Sequence, residues 1–201
     1  MQIDTINLGP MDNCTYLLSE SGKALLIDPA WDMDFLLHTL NQKKLTPLGV
    51  FFTHGHFDHV KFSQTLLEHT HVKGYLEQSD LHLADIDPQF LHLYNQAQTF
   101  DIGPFHVQVI PTPGHTAGSV CLLINGFLFT GDTLFPGACG RVDLPTSSPR
   151  AMQQSLATLA RLPEDTQFFA GHSYGGKSCS TIGYERVKNP FMRNAIRNQE
   201  I

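Results

Sequence analysis

The chain is poor in charged residues and has no long run of any one residue type. Of its 201 residues, 16% are Asp, Glu, Lys or Arg, the formal net charge is −6, and no five basic residues follow one another. Proteins that bind nucleic acid usually carry a basic face, so we expect no nucleic-acid partner. No stretch approaches the roughly 18 apolar residues that a membrane span needs, so we expect no membrane partner either.

Two further scarcities concern the cell compartment and the domain organisation. Residues 1–5 do not begin the basic and then apolar pattern of a secretory signal peptide. Four cysteines, Cys14, Cys121, Cys139 and Cys179, are widely spaced with no Cys-x-x-Cys pair, which is typical of reduced thiols, so we expect a cytoplasmic protein. The length and the apolar content of 41% predict one domain over residues 1–201. Nothing in the sequence specifies an oligomeric state.

Histidine, in contrast, is concentrated in one short segment. Residues 54–59 have the sequence His-Gly-His-Phe-Asp-His and directly follow the apolar run 50–53. Imidazole and carboxylate groups are ligands for zinc, iron and manganese. A strand directs successive side chains to opposite faces, whereas a loop after the strand can turn several of them toward one point, helped here by Gly55. The segment therefore predicts a metal-binding loop.

Three more ligand-type residues occur in the same kind of place further along the chain. His115, Asp132 and His172 each follow a glycine, and each comes just after an apolar or alternating run that we interpret as a strand. A rigid strand that delivers a side chain to a flexible rim is a common way of building sites. We therefore expect these three residues to join the metal-binding loop.

The rest of the pattern predicts an α/β protein. Asn125-Gly126 between two apolar runs favours a tight hairpin turn. Asp32 and Ser148 are candidate helix caps, Pro47 is expected to mark the end of the first helix, and the second helix is expected to bury Phe62. The expected strands are 14–18, 25–27, 72–76, 105–110, 119–124, 127–130 and 166–169, and the expected helices are 33–44, 60–68, 78–97 and 149–162.

His-x-His-x-Asp-His, followed by a lone His, a Gly-Asp and a Gly-His, resembles the metallo-β-lactamase superfamily over nearly the whole chain. The resemblance implies an α/β fold of the four-layer αββα type. It also implies two divalent metal ions, most readily zinc, with iron or manganese as alternatives. His54, His56 and His115 would hold one ion, Asp58, His59 and His172 would hold the other, and Asp132 would bridge both.

Within that superfamily the chain looks like the glyoxalase II-like group, on Gly-Asp-Thr-Leu-Phe at 131–135 and Cys-Gly-Arg at 139–141. This resemblance implies hydrolysis of a small-molecule thioester, such as an S-acylglutathione, by a hydroxide that bridges the metals. Asp58 would orient the water and pass its proton on, and Arg141, Cys139 and Tyr174 would contact the substrate. Only 29 residues follow His172, so we do not expect the C-terminal helical domain of the larger members. Asp143 stands where that group has a tyrosine.

The alternative is a persulfide dioxygenase, which the segment 172–183 also resembles. Such an enzyme would use one Fe(II) ion held by His54, His115 and Asp132, with open positions for dioxygen and a sulfur substrate. Thr133-Leu134-Phe135 favours the hydrolase. A non-catalytic member is disfavoured because no ligand position has been lost.

Overall fold

The computed structural model describes residues 1–198, and two six-stranded sheets form its framework. The first sheet contains β1 (Gln2–Leu8), β2 (Asn13–Glu20), β3 (Lys23–Ile27), β4 (Thr46–Phe51), β5 (Gly74–Glu77) and β6 (Leu91–Tyr94), in the order β1-β2-β3-β4-β5-β6. The second contains β7 (Gln98–Ile102), β8 (Phe105–Pro111), β9 (Val120–Ile124), β10 (Phe127–Gly131), β13 (Gln167–Ala170) and β14 (Cys179–Thr181). Its order is β14-β13-β10-β9-β8-β7.

Six α-helices, three short 3₁₀ turns and one short hairpin accompany the two sheets in residues 1–198. The hairpin pairs β11 (Leu134–Phe135) with β12 (Ala138–Cys139). The helices are α1 (Met33–Gln42), α2 (Phe57–Val60), α3 (Ser63–Thr70), α4 (Pro149–Leu159), α5 (Ile182–Lys188) and α6 (Pro190–Arg197). None of the helices in residues 1–198 has the length and apolarity required to cross a bilayer.

The buried side chains divide into three layers of core. Tyr16, Phe51 and Phe129 belong to the cluster that lies between the two sheets. A second cluster packs α1 and α3 against the outer face of the first sheet, and a third packs α4 and α6 against the outer face of the second. Two sheets face to face with helices on both outer sides form the αββα sandwich, so the expected fold class is confirmed.

The site follows from the directions of the strands. β3, β4 and β5 are parallel neighbours in one sheet, and β10 and β13 are parallel neighbours in the other. Residues that follow β4, β10 and β13 therefore emerge at one edge of each sheet. Backbone hydrogen bonds join the two edges, from the Val120 N–H to the Thr53 carbonyl and from the Cys14 N–H to the Gly171 carbonyl, each 2.8 Å. The predicted metal ligands thus meet at one end of the sandwich.

Both expected caps are in place, although the first helix ends before Pro47. Asp32 accepts a hydrogen bond from the Phe35 N–H, and Ser148 accepts one from the Ala151 N–H. Pro47 lies inside β4, because only residues 43–45 separate the end of α1 from that strand. The Asn125-Gly126 turn joins β9 to β10 with positive φ at both residues, as the hairpin requires.

Two helix predictions were wrong. The stretch 60–68 is divided between α2 and α3 at Phe62, whose φ of 65° breaks the helix and leaves its ring 56% exposed rather than buried. The stretch 78–97 contains two short 3₁₀ turns, Gln78–Asp80 and Pro88–Phe90, followed by β6. Pro88 cannot continue a helix, and Leu91–Tyr94 gain hydrogen bonds by extending the sheet beside β5.

Candidate metal centre

The structure brings all seven predicted ligands together at the end of the sandwich. The ligand atoms form three overlapping groups, and within each group all atoms lie within 4.8 Å of one another. The groups are His54 with His56 and His115, then His54 with His59 and Asp132, and then Asp58 with His59 and His172. Six of the seven side chains lie on the segment 54–59 and on the loops that follow β8 and β13, and Asp132 follows β10. Four of the histidines are buried, namely His54, His59, His115 and His172. The loop positions that the sequence indicated therefore converge as expected.

Outer hydrogen bonds fix which nitrogen of each ring faces inward. His115 Nδ1 lies 2.9 Å from the Arg141 carbonyl, and His172 Nδ1 lies 2.8 Å from the Met11 carbonyl. A carbonyl oxygen only accepts hydrogen bonds, so both Nδ1 atoms carry a proton. In the neutral ring the Nε2 lone pair is then free and directed into the cluster, which is the state that a metal ligand requires.

The inner atoms have the spacing of ligands around a shared cation. His56 Nδ1 lies 2.9 Å from His115 Nε2, and His59 Nε2 lies 3.2 Å from His172 Nε2. Asp132 Oδ2 lies 3.4 Å from both His115 Nε2 and His172 Nε2. Two nitrogens bound at about 2.1 Å to one tetrahedral ion lie about 3.4 Å apart. The donor set therefore fits divalent metal ions.

Two buried atoms in the cluster have no hydrogen-bond partner among residues 1–198. They are His54 Nε2 and Asp132 Oδ1, and both belong to groups that could hold a metal. A buried polar atom without a partner is costly, and such an atom calls for an explanation such as an ion. A cation at the cluster would satisfy both atoms at once.

The charges of the cluster are divided unequally among its rings. Burial keeps the pKa of His54 well below its usual range, with further lowering from the charges of the neighbouring rings. Burial opposes protonation of His172, yet the hydrogen bonds with Asp132 and Asp58 raise its pKa to about 10. Burial also opposes ionisation of Asp58, but His172, the charge of His59 and Asn13 together lower its pKa below the usual range. Without a metal, protons on the rings therefore balance the carboxylates.

Asp28 supports the cluster from below, and the sequence analysis assigned it no role. Its Oδ2 lies 3.0 Å from His59 Nδ1, so His59 presents Nε2 to the cluster. The same carboxylate accepts hydrogen bonds from the N–H and the hydroxyl of Thr53, the residue before His54. Asp28 comes directly after β3, so the rule that selected the other residues at strand ends could also have found it.

An open cleft of about 450 Å³ lies above the cluster. His56, Asp58, His115, Asp132 and His172 contribute to it from the cluster, and Met11, Phe57, Leu83, Leu144, Pro145, Arg141 and Tyr174 surround them. Most of these surrounding side chains are apolar. The cleft therefore suits a small molecule with one polar reacting group and apolar surroundings.

The three predicted substrate residues are placed differently. Tyr174 lines the cleft and stacks on His172 with a ring separation of 4.8 Å and an interplanar angle of 6°. Arg141 also lines the cleft, but its guanidinium is paired with Asp143 at 2.8 and 3.0 Å. Cys139 is half-buried in β12 and lines a neighbouring groove instead of the metal cleft. Contact between Cys139 and a molecule at the metals is thus not supported by its position.

Comparison with known proteins identifies the family. The sequence profile of the metallo-β-lactamase superfamily matches residues 9–172, a range that holds all seven clustered residues. A hydroxyacylglutathione hydrolase of Shewanella oneidensis is 34% identical in a match that covers 90% of this chain and 82% of that protein.

Two solved structures share the whole architecture. The BLEG-1 B3 metallo-β-lactamase matches with a TM-score of 0.87 and 30% identity, covering 95% of this chain and 99% of that one. ETHE1 from Myxococcus xanthus matches with a TM-score of 0.85 and 27% identity, covering 100% of this chain and 92% of that one. The chain thus belongs to the metallo-β-lactamase superfamily.

Proposed function

We propose that this protein hydrolyses small-molecule thioesters, with two divalent metal ions, most readily zinc, at the clustered histidines and aspartates. The observation that carries the proposal is the cluster itself, in which buried His54 Nε2 and Asp132 Oδ1 have no hydrogen-bond partner within residues 1–198 and lie beneath a cleft lined largely with apolar side chains. The 34% identity to a hydroxyacylglutathione hydrolase supports a thioester as the substrate.

The proposed ligands form two sets with one shared residue. His54, His56 and His115 would hold one ion, and Asp58, His59 and His172 the other, with Asp132 contacting both. Bound divalent ions lower the pKa of water toward neutrality and polarise a carbonyl oxygen. The outer contacts of the rings hold the ligand atoms in place, so little rearrangement is needed during the reaction.

Asp58 is the residue that we propose for proton transfer. Asn13 donates hydrogen bonds to both the backbone oxygen and Oδ2 of Asp58, at 3.0 and 2.9 Å. These contacts hold the carboxylate at the floor of the cleft. Asp58 can therefore accept a proton from the attacking water and deliver it to the thiolate that leaves when the C–S bond breaks.

The apolar surroundings of the cleft are consistent with a thioester of low charge. Phe57 is 56% exposed and packs edge-on against Trp31, so its ring covers one side of the mouth. Tyr174 lines the same cleft and stacks on His172. A substrate bound at the cluster would thus have two aromatic rings among its neighbours.

Hydrolysis of S-lactoylglutathione by the zinc-loaded protein tests this function. Following loss of the thioester, we expect turnover that a chelator abolishes and that Asp58→Asn lowers by at least about a hundredfold, a size typical of general-base loss. Asp101→Asn is the matched control, because Asp101 also pairs with a histidine, His106, but is exposed and far from the cluster. No turnover of this thioester or of an uncharged thioester such as S-acetyl-N-acetylcysteamine would refute the proposal.

The second candidate is oxygen-dependent sulfur chemistry on one iron ion. The likeness to ETHE1 from Myxococcus xanthus over the whole chain keeps this candidate open. It needs only His54, His115 and Asp132, of which His115 and Asp132 approach to 3.4 Å. Oxygen uptake with glutathione persulfide by the iron-loaded protein tests it. Activity that survives Asp58→Asn would favour this candidate, because Asp58 is outside its set of ligands.

A further inference from the structure

A buried aspartate outside the proposed ligand set connects the two loops that carry the three-histidine group. Asp80 ends the short 3₁₀ turn Gln78–Asp80 after β5, and its side chain is fully buried. It is not among the residues that could hold a metal with its neighbours. A buried carboxylate is costly unless donors surround it, so its partners show what it stabilises.

Those partners come from both metal-binding loops. Asp80 Oδ2 accepts a hydrogen bond of 2.9 Å from the Gly55 N–H, between His54 and His56. The same oxygen accepts one of 2.6 Å from the Thr116 hydroxyl, next to His115, and Oδ1 accepts one of 2.8 Å from the Gly118 N–H. One carboxylate is therefore bonded to residues adjacent in sequence to all three histidines of the group.

The backbone geometry supports the same conclusion independently. A Cβ atom at Gly55 would lie 2.5 Å from the Asp80 carbonyl oxygen, and one at Gly118 would lie 2.7 Å from the Asp80 carboxylate. Both loops thus approach Asp80 so closely at Gly55 and Gly118 that a side chain at either position would clash with it. Ser119 completes the arrangement by bonding the Thr116 N–H and hydroxyl, which fixes the direction of the Thr116 donor.

We propose that Asp80 is a positioning residue that sets the separation between the loop of His54 and His56 and the loop of His115. His56 Nδ1 and His115 Nε2 lie 2.9 Å apart in this arrangement, so release of either loop would separate two atoms of one ligand set. The inference rests on the proposed metal centre. The residues Asp58, His59 and His172 have other supports, so their ligand set should be little affected.

The proposal is tested with the Asp80→Asn variant, by titrating the metal-free protein with zinc in a calorimeter. An amide offers one acceptor oxygen in place of two, so at least one loop loses its partner. We expect zinc affinity of one site to fall about 10–100-fold, as for other residues that support ligands, while the remaining site keeps its affinity. Thr116→Val, which removes one donor and keeps the shape, should give a smaller fall in the same site.

Glu185→Gln is the matched control, because Glu185 is an equally buried carboxylate that accepts the Gly137 N–H and the Ser180 hydroxyl away from the cluster. If both variants lower the melting temperature alike but only Asp80→Asn weakens zinc, the positioning role is supported. Equal zinc affinity in Asp80→Asn and the unaltered protein, or equal weakening at both sites, would overturn it. Failure of the unaltered protein to bind zinc at all would instead refute the proposed metal centre.

Discussion

Asn13 Nδ2, at the start of β2, donates hydrogen bonds to both Oδ2 and the backbone oxygen of Asp58 in α2. Its own Oδ1 accepts a hydrogen bond of 3.2 Å from Trp31 Nε1. The amide therefore has a fixed orientation, with its donors toward Asp58 and its acceptor toward the indole. Through this chain of contacts, the aromatic rim of the cleft is connected to the residue that we propose for proton transfer.

Asn13→Ala is expected to lower kcat for the thioester about 10–100-fold with a smaller change in zinc affinity, because Asp58 loses the donors that orient it. Steady-state kinetics and zinc titration on the same preparation measure the two effects. Trp31→Phe serves as the control, since it removes the indole donor but leaves both contacts to Asp58. Equal kcat in Asn13→Ala and the unaltered protein would contradict a role in orienting Asp58.

The metal ligands could be predicted from the sequence because each lies in a recognisable local pattern. Each follows an apolar strand and a glycine or lies in the segment 54–59, and strand ends gather at one edge of a parallel sheet. The fold class was predictable for the same reason, since the strands and the hairpin at Asn125-Gly126 carry strong local patterns. The specific αββα stacking came from the family resemblance and not from these patterns.

The supporting residues carry no such local signal. Asn13 and Asp80 act through contacts 45 and 25 residues away in sequence, so only the folded chain brings them to the site. The incorrect helix prediction for 78–97 also gave no reason to place Asp80 at the site. The true structure of this stretch depends on tertiary contacts, because β6 forms only by pairing with β5. The break at Phe62 was missed for a similar reason, since a positive φ at an aromatic residue is imposed by tertiary packing.

Asp28→Asn is expected to weaken zinc binding about 10–100-fold, because His59 loses the carboxylate that fixes its Nδ1 and raises its basicity. The substitution also removes one of the two carboxylate oxygens that accept hydrogen bonds from the Thr53 N–H and hydroxyl, so the residue before His54 is held less firmly. Competition with a coloured zinc chelator measures the affinity. Unchanged affinity in this variant would mean that packing alone holds His59 in place.

Zinc binding is expected to release at least one proton per protein near neutral pH. His172 has a pKa raised to about 10 in the metal-free cluster, so below pH 10 its Nε2 carries a proton that must leave before it can bind zinc. The apparent affinity should therefore rise about tenfold per pH unit between pH 6 and 8 for each such proton. Calorimetry in buffers of different ionisation enthalpy counts the protons. An affinity independent of pH would show that His172 is already deprotonated.

Asp143→Asn is expected to lower KM for S-lactoylglutathione several-fold. Arg141 is the one lysine or arginine that lines the cleft within residues 1–198, and Asp143 accepts both of the hydrogen bonds in a forked pair. The hydrogen bonds and the charge of Asp143 raise the pKa of Arg141. The ion pair has little net charge, so it attracts the negatively charged glutathione part of the substrate only weakly. Removal of the acid would free the guanidinium for a substrate carboxylate.

An uncharged thioester is the control substrate for this last prediction, because it offers no carboxylate to Arg141. Its KM should be the same in Asp143→Asn and in the unaltered protein, whereas a general improvement of the cleft would lower both values. Arg141→Gln combined with Asp143→Asn should restore the high KM for the glutathione thioester, since the freed cation is then absent. If the double variant keeps the low KM, the Asp143 charge acts on the substrate directly and Arg141 does not bind it.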